Sequence, residues 1–275
     1  MLDRTAVLSP YFISGFLCIA LGHLCVSSFL QYVFYRRRAS SVDRWKAQPK
    51  KCHNLGDDVA RRCWLPLLSL LRIGREKNGR HPLHGLFATF NVFMASVFAG
   101  LVTHLIATGQ TKAYSGHEAG YAWRFVAGFM LSLAWQSVLE YYWHRLMHLP
   151  PVYVRLHKYH HFYKSPEPFD DLFIHPLEAF GYYLQLYSPP FLFSMPVASF
   201  AAYMVVCGLC GVLDHSGVVL SVPGLYDTKD HDRHHSRFEV NYAFPFPFFD
   251  VLHGTYEGTF LGKRYSCGRS KRHDQ

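Results

Sequence analysis

Four long apolar stretches alternate with polar, basic segments along this chain. They cover residues 11–35, 83–109, 121–143 and 179–213, and the first contains no Lys, Arg, Asp or Glu. A run of about 20 apolar residues is enough for a helix to cross the hydrocarbon core of a bilayer. Because a helix satisfies its own backbone hydrogen bonds in lipid, the pattern predicts an all-α integral membrane protein.

The fourth apolar stretch differs from the others because prolines interrupt it. Pro189, Pro190 and Pro196 lie within it, and no charged residue occurs there before Asp214. Proline breaks or kinks a helix, since it lacks a backbone N–H and its ring clashes with the preceding turn. The stretch is therefore predicted to be one long kinked span or a hairpin of two segments, which gives about four transmembrane helices in all.

Histidine is concentrated in three short clusters near the later stretches. They are His144-Arg-Leu-Met-His148, His157-Lys-Tyr-His160-His161 and His231-Asp-Arg-His234-His235. Spacings of three and four residues bring side chains to one face of a helix, and imidazole is well suited to holding iron, copper or zinc at neutral pH. One metal ion cannot use so many imidazoles, so the clusters predict a site with two metal ions.

Further residues complete the expected site. His215 opens a turn directly after an apolar stretch, and His175 lies between the second and third clusters. Each ligating imidazole needs an acceptor that fixes its other N–H group. Among the nearby acids, Asp214 and Glu178 are favoured as these orienting groups because each lies close to an expected ligand. The other candidates are Glu140, Asp170, Asp171, Asp232 and Asp250.

The distribution of basic residues predicts the orientation. Residues 110–120 contain a single Lys or Arg residue, Lys112. The segment after the first apolar stretch is strongly basic and contains Arg36, Arg37, Arg38, Arg44, Lys46, Lys50, Lys51, Arg61, Arg62, Arg72, Arg75, Lys77 and Arg80. Lys and Arg are enriched on the cytosolic side of membrane proteins. Counting spans from there, Trp143 and the first cluster are cytosolic, and a fourth stretch that returns to the same side puts all clusters in one cytosolic helical cap.

Composition agrees with a membrane location and disfavours two other classes. The formal net charge of +9 suits a surface that faces anionic lipid headgroups. Nucleic-acid binding is disfavoured, because the basic residues flank apolar spans and no nucleic-acid-binding motif is present. The seven cysteines, an odd number expected on the cytosolic side or in spans, disfavour a disulfide framework.

The order H-x3-H, H-x2-H-H, H-x2-H-H over residues 144–235 resembles the histidine boxes of the fatty acid hydroxylase/sterol desaturase superfamily, which are membrane di-iron oxygenases. Weaker matches extend the resemblance to about residue 258. Three further segments resemble C4-methylsterol oxidases within that superfamily. They are His-Pro-Leu-Glu at 175–178, Asp-His-Ser-Gly at 214–217 and Asn-Tyr-Ala-Phe at 241–244.

The resemblance implies an enzyme that uses dioxygen to oxidise a sterol or related terpenoid lipid, by hydroxylation or demethylation-type oxidation. It implies two iron ions, held by His144, His148, His157, His160, His161, His175, His215, His231, His234 and His235. The chain has no nucleotide-binding fingerprint, so electrons are expected from another protein. The resemblance implies that this is a carrier such as cytochrome b5, supplied by NAD(P)H. The expected location is the endoplasmic reticulum membrane, with the active site facing the cytosol.

Two alternatives stay open at this point. The first is a fatty-acyl or sphingolipid hydroxylase or desaturase, and the second is a non-catalytic metal-binding membrane scaffold. In either case the chain is expected to divide into three regions. Residues 1–120 form a membrane region with a basic cytosolic loop, residues 121–258 form the catalytic domain, and residues 259–275 form a basic C-terminal tail.

Overall fold

The computed structural model of the protein describes residues 9–51, 81–116 and 120–267. Most of the expected cytosolic loop, residues 52–80, lies outside these ranges, as does the end of the expected C-terminal tail. The described residues are mostly helical. The α-helices are α1 Pro10–Leu30, α2 Val42–Trp45, α3 His84–Ala107, α4 Tyr121–Met147, α5 Pro150–Val152, α6 Pro176–Leu186, α7 Pro189–Leu192, α8 Val197–Asp214, α9 Thr228–Arg237 and α10 Phe248–His253.

Shorter elements connect these helices. Gln31–Arg37 continues α1 as a π-helix, Tyr153–His157 is a second π-helical turn, and 3₁₀ turns occur at Ala39–Ser41, Pro49–Lys51 and His160–Phe162. Three two-stranded pairs complete the described structure. They are the parallel pair β1 Ala113–Tyr114 with β2 Met195–Pro196, and the antiparallel pairs β3 Ser221–Val222 with β4 Tyr226–Asp227 and β5 Gly258–Phe260 with β6 Lys263–Tyr265.

Three of the helices are long and apolar enough to cross a membrane, judged by length and composition. They are α1 with its π-helical extension (Pro10–Arg37), α3 and α8. Helix α4 has 27 residues, but it carries the polar side chains of Arg124, Gln136 and Glu140 and is not among the three. The count of about four spans, and the side of the membrane on which each helix ends, therefore stay predictions.

The fourth apolar stretch forms a hairpin rather than one kinked span. Helix α6 ends before Pro189, the short helix α7 follows, and α8 begins directly after Pro196. Strand β2, at the turn of this hairpin, pairs with β1, which follows α3. The turn therefore lies at the end of the bundle where α3 finishes, and α8 runs back toward the opposite end.

Small residues allow α1 and α3 to pack closely. A Cβ atom at Gly15 would lie 2.5 Å from the Thr103 hydroxyl oxygen and 2.6 Å from the Ala99 carbonyl oxygen. A Cβ atom at Gly100 would lie 2.8 Å from the Phe12 ring. Real Cβ atoms do not approach other atoms so closely, so glycine at both positions permits the observed interhelical distance.

Long-range hydrogen bonds join several helix ends at the end of the bundle opposite the β1–β2 pair. The hydroxyl of Tyr35, in the extension of α1, donates to the Ser216 carbonyl oxygen at 2.6 Å. His84 at the start of α3 pairs with Asp170 at 2.9 Å. Both contacts are buried, and both lie beside the segments that carry the histidine clusters. The three clusters consequently meet at one end of the helical bundle.

Candidate metal centre

The first histidine cluster lies at the C-terminal end of α4. His144 is in the last turn, and His148 is the C-cap residue, where the following Leu149-Pro150 sequence stops the helix. A residue before proline is biased away from the helical conformation, which explains the sharp end. The four-residue spacing brings both rings to one side of α4, with centroids 5.2 Å apart.

The second cluster is built from two short turns instead of one α-helix. His157 closes the π-helical turn Tyr153–His157, and His160 and His161 begin a 3₁₀ turn. All three side chains are buried. The expectation of a single helical face is wrong for this cluster, because the chain changes its helical pitch between His157 and His160.

The third cluster lies on α9, a short polar helix. The Asp227 side chain caps its start by accepting a hydrogen bond from the Lys229 backbone N–H, and Phe238 ends it with a positive φ of 66°. His231, His234 and His235 project from this helix, and His215 joins them from the C-cap of α8. A helix this short and polar is stable only through such caps and tertiary contacts.

Nine histidines form two groups. Within each group, the candidate ligand atoms all lie within 4.8 Å of one another. The group of five contains His144, His148, His157, His161 and His234, and the group of four contains His160, His215, His231 and His235. Each H-H doublet is divided between the groups, because adjacent residues in a helical turn point in directions about 100° apart. The second and third clusters therefore each serve both groups.

The Nδ1 atoms of five rings face outward to acceptors. Two of them lie near carboxylates. Nδ1 of His157 is 2.5 Å from Glu178, and Nδ1 of His215 is 3.0 Å from Asp171 and 2.8 Å from the Gly211 carbonyl oxygen. The other three Nδ1 atoms lie near backbone carbonyl oxygens. The distance is 2.9 Å from His144 to Tyr242, 2.6 Å from His234 to Val240 and 3.2 Å from His235 to Tyr163. This network assigns the hydrogen to Nδ1 in these rings and leaves the Nε2 lone pair directed inward.

The inward nitrogens are close together. Nε2 of His148 lies 3.1 Å from those of His157 and His161, and 3.2 Å from that of His234. Among the described residues, Nε2 of His144 has no hydrogen-bond partner. Lone pairs that converge without enough hydrogens between them repel one another, whereas a cation among them removes the repulsion. The donor set therefore fits a metal ion in each group, with imidazole as the ligand.

Burial keeps these rings in the form that binds metals. The pKa values of His160, His161, His231, His234 and His235 all lie well below the ordinary value, first because the rings are removed from water and second because neighbouring imidazoles disfavour a positive charge. These rings are neutral at pH 7. A neutral imidazole offers a lone pair, whereas a protonated one does not.

The structure does not bring two of the expected residues to the roles predicted for them. His175 belongs to neither group, because its Nδ1 atom accepts the Leu177 backbone N–H and caps α6. Asp214 accepts a hydrogen bond from the Tyr226 hydroxyl at 2.7 Å, and Asp171 rather than Asp214 pairs with His215. Glu178, the other favoured acid, does contact a histidine of the site, His157.

Sequence reasoning missed the backbone acceptors. The carbonyl groups of Tyr163, Val240 and Tyr242 each receive a histidine N–H, and no side-chain pattern marks such positions. The segment at Tyr242 is itself fixed by Asp250, whose carboxylate accepts the backbone N–H groups of Tyr242 and Ala243. Burial raises the pKa of Asp250 to about 6.

A large cavity lies next to the histidines. Its volume is about 570 Å³, and its lining is mainly apolar. His144, His157, His160, His215 and His231 form one wall, and the rest of the lining comes largely from α1, α3, α4, α6 and α8. A cavity of this size suits a ligand comparable to a drug-sized molecule. The lining is continuous from the two groups to the middle of the helical bundle.

Comparison with known proteins agrees with this geometry. The sequence model described as fatty acid hydroxylase matches residues 129–255, which include all nine grouped histidines. This match confirms the resemblance to the fatty acid hydroxylase/sterol desaturase superfamily.

Several relatives are sterol enzymes by name. A Delta(7)-sterol 5(6)-desaturase of Gibberella zeae is 37% identical over 54% of this chain and 43% of the relative. One from Leptosphaeria maculans is 31% identical over 54% of the chain and 42% of the relative, and human lathosterol oxidase is 30% identical over 44% and 43%. The aligned part spans under half the length of these relatives. No solved structure matches the chain.

Proposed function

We propose that this protein is a membrane oxidoreductase that uses a histidine-ligated pair of iron ions and dioxygen to oxidise a sterol. The observation that carries the proposal is the convergence of nine buried or partly buried histidines in two groups beside an apolar cavity. Its counterpart in sequence is the similarity to enzymes named as sterol 5(6)-desaturases and lathosterol oxidase.

The group of five and the group of four would hold one metal ion each. Iron is favoured over zinc because oxidation of an unactivated C–H bond requires a redox-active metal. The two ions would supply activation of dioxygen and storage of electrons. His175 is left outside the metal site in this proposal, since the structure uses it to cap α6.

The protein supplies fixed ligands and a water-poor site. Glu178 and Asp171 accept N–H groups of His157 and His215, which holds each ring with its Nε2 atom inward. Such outer partners raise the basicity of the ligand and fix its orientation. We assign these two acids as positioning residues and remove Asp214 from that role, because Tyr226 occupies its carboxylate.

Among the sterol reactions, removal of two hydrogens from adjacent ring carbons agrees best with the names of the relatives. This dehydrogenation takes up dioxygen, two electrons and two protons, and it releases two water molecules. Hydroxylation of the same lipid would insert one oxygen atom and release one water molecule. Both reactions begin with removal of a hydrogen atom, so product analysis distinguishes them.

The substrate would enter from the bilayer between α1 and α8. Four residues line the cavity and are solvent-accessible, Cys18 and Gly22 of α1 and Val205 and Gly208 of α8. No described atom lies within 4 Å of a Cβ atom built at Gly22 or Gly208, so this side of the cavity is open. A lipid could pass through it without leaving the membrane.

Electrons would come from a separate carrier such as cytochrome b5, reduced at the expense of NAD(P)H. The proposed location is the endoplasmic reticulum membrane with the histidine end in the cytosol, where such a carrier has access. The basic segment after α1, with Arg36, Arg37 and Arg38, suits an acidic partner.

A fatty-acyl substrate is the second candidate. It is favoured by the family description and by a 33% identity, over 44% of this chain, to human fatty acid hydroxylase domain-containing protein 2. A flexible acyl chain also fits an apolar cavity of this volume.

Lipid analysis tests the proposal directly. The protein is expressed in membranes that lack sterol 5(6)-desaturation, and sterols and fatty acids are extracted and analysed by mass spectrometry. We expect a new desaturated sterol with the wild-type chain and with His175→Ala, and none with His160→Ala. Oxidised fatty acids without sterol products would favour the second candidate, and an unchanged lipid profile would refute both.

A further inference from the structure

Glu140 lies in the wall of the cavity, one helical turn before His144. Four residues of α-helix correspond to a rise of about 6 Å, so its carboxyl group lies one turn deeper in the bundle than the histidines. The side chain is half-buried and borders the cavity. An acidic residue at such a depth in an apolar bundle is costly unless it has a partner, and it commonly marks function.

A hydrogen-bonded chain holds Glu140 in place. The Gln136 amide donates to its Oε2 atom at 3.2 Å. Gln136 is fixed in turn by the Tyr203 hydroxyl, which donates to its amide oxygen at 3.0 Å and also contacts the Leu186 carbonyl oxygen at 3.0 Å. Gln136 and Tyr203 are fully buried. Three elements, α4, α6 and α8, therefore define the position of one carboxyl group.

The other acids of the cavity wall already have partners at the site. Glu178 pairs with His157, Asp171 with His215, and Asp214 with the Tyr226 hydroxyl. Glu140 contacts none of these side chains by a hydrogen bond, and within the described residues its Oε1 atom accepts no hydrogen bond. One carboxyl oxygen, fixed through Oε2, is therefore left beside the space that a ligand would fill.

We propose that Glu140 forms a hydrogen bond with a hydroxyl group of the lipid substrate and so determines which carbon atoms reach the metal site. This inference rests on the proposed sterol oxidation. A carboxylate would accept the hydroxyl hydrogen, and a carboxylic acid would donate its own, so either form binds an alcohol. The remaining wall around α1, α3 and α8 is largely apolar, with His23 and Thr103 as polar exceptions.

The arrangement fits the shape of a sterol. The hydroxyl group is on the first ring, and the carbon atoms of a 5(6)-dehydrogenation are in or next to the adjoining ring. A hydroxyl held one helical turn from His144 leaves that ring at the histidine wall. The remainder of the molecule then contacts the rest of the cavity lining, which is largely apolar. Glu140 is thus a positioning residue for substrate.

Binding to the purified, iron-loaded protein tests the inference without requiring turnover. Two ligands are compared, a Delta(7)-sterol and the same sterol without its 3-hydroxyl group. We expect the wild type to prefer the hydroxylated sterol by about tenfold, the effect of one well-formed hydrogen bond. Glu140→Leu should lose this preference, and Glu140→Gln, which keeps an acceptor oxygen, should retain part of it.

Ile106→Ala is the matched control, because it alters the cavity wall far from the carboxyl group. It should weaken binding of both sterols by the same factor and leave the preference intact. Unchanged discrimination in Glu140→Leu would overturn the inference, as would a loss of turnover with no change in the ratio of the two affinities. A wild type that binds neither sterol would refute the proposed substrate as well, whereas sterol binding without discrimination would refute only the role of Glu140.

Discussion

The histidine end and the apolar helical bundle of this molecule are stabilised by different kinds of interaction. At the histidine end, short elements such as α9 and the turn at His157 are fixed by directional hydrogen bonds to carbonyls and carboxylates. In the apolar bundle, Gly15 and Gly100 bring α1 and α3 together, and this pair of helices is held by close packing. The contrast teaches that the positions of the ligands depend on particular atoms, whereas the shape of the cavity depends on side-chain volume.

The strongest way to break the histidine end is to remove a ligand. His234→Ala deletes one imidazole of the group of five, so we expect iron binding to that group and product formation to fall by on the order of 100-fold or more. Iron content by elemental analysis and product yield in membranes measure the effect. The control is His175→Ala, which should keep full iron content. Equal iron loss in both variants would contradict the assignment of the two groups.

Substitutions in the apolar bundle should lower the stability of the protein and leave iron binding unchanged. Gly100→Val places methyl groups against Phe12, and we expect a loss of about 1–3 kcal/mol in stability from overpacking. Thermal unfolding in detergent measures it. Gly208→Ala is the control, because no described atom lies near its Cβ position, and it should unfold at or slightly above the wild-type temperature. If Gly100→Val released iron before it unfolded, the two ends would not be separable.

The outer partners of the histidines should give a graded effect. Glu178→Gln weakens the contact that orients His157, so metal affinity should fall by about 10- to 100-fold. Competition with a chelator of known affinity measures this change. Asp214→Asn should have a smaller effect, since the carboxylate of Asp214 contacts Tyr226. The reverse order would restore Asp214 to the role that the sequence first indicated.

The smallest effect is expected at the open side of the cavity. Cys18 lines it, whereas Cys25 is exposed on the same helix and does not line it. A bulky thiol reagent should slow substrate turnover several-fold in wild-type membranes, and Cys18→Ser should prevent this inhibition. Cys25→Ser should leave the inhibition unchanged. Inhibition that depended on Cys25 instead would argue against entry between α1 and α8.

The sequence was informative where chemistry depends on residue type. The histidine boxes identified the superfamily, which the match to residues 129–255 confirms, and the apolar stretches indicated a helical membrane protein. Spacing could not assign the doublets, since His160 and His161 are equivalent in sequence but belong to different groups. Their assignment depends on the change from a π-helical to a 3₁₀ turn, which is a tertiary effect.

Other features were not encoded in any local pattern. Asp171 and Asp214 are both acids near His215, and only the fold decides that Asp171 reaches its Nδ1 atom. The carbonyl acceptors at Val240 and Tyr242 carry no signature, because every residue has a carbonyl group. The fourth apolar stretch left two topologies open, and the pairing of β2 with β1 decides for the hairpin. The membrane orientation and the division into three regions stay predictions.

The divided doublets have a consequence for how the protein matures. His160–His161 and His234–His235 tie the two proposed ion positions to the same two backbone segments. Ordering either segment for the first ion therefore prearranges ligands for the second, so the second ion should bind more tightly than the first. Half-loaded molecules should be scarce during assembly, and a preparation with one ion per chain on average should be a mixture of full and empty protein.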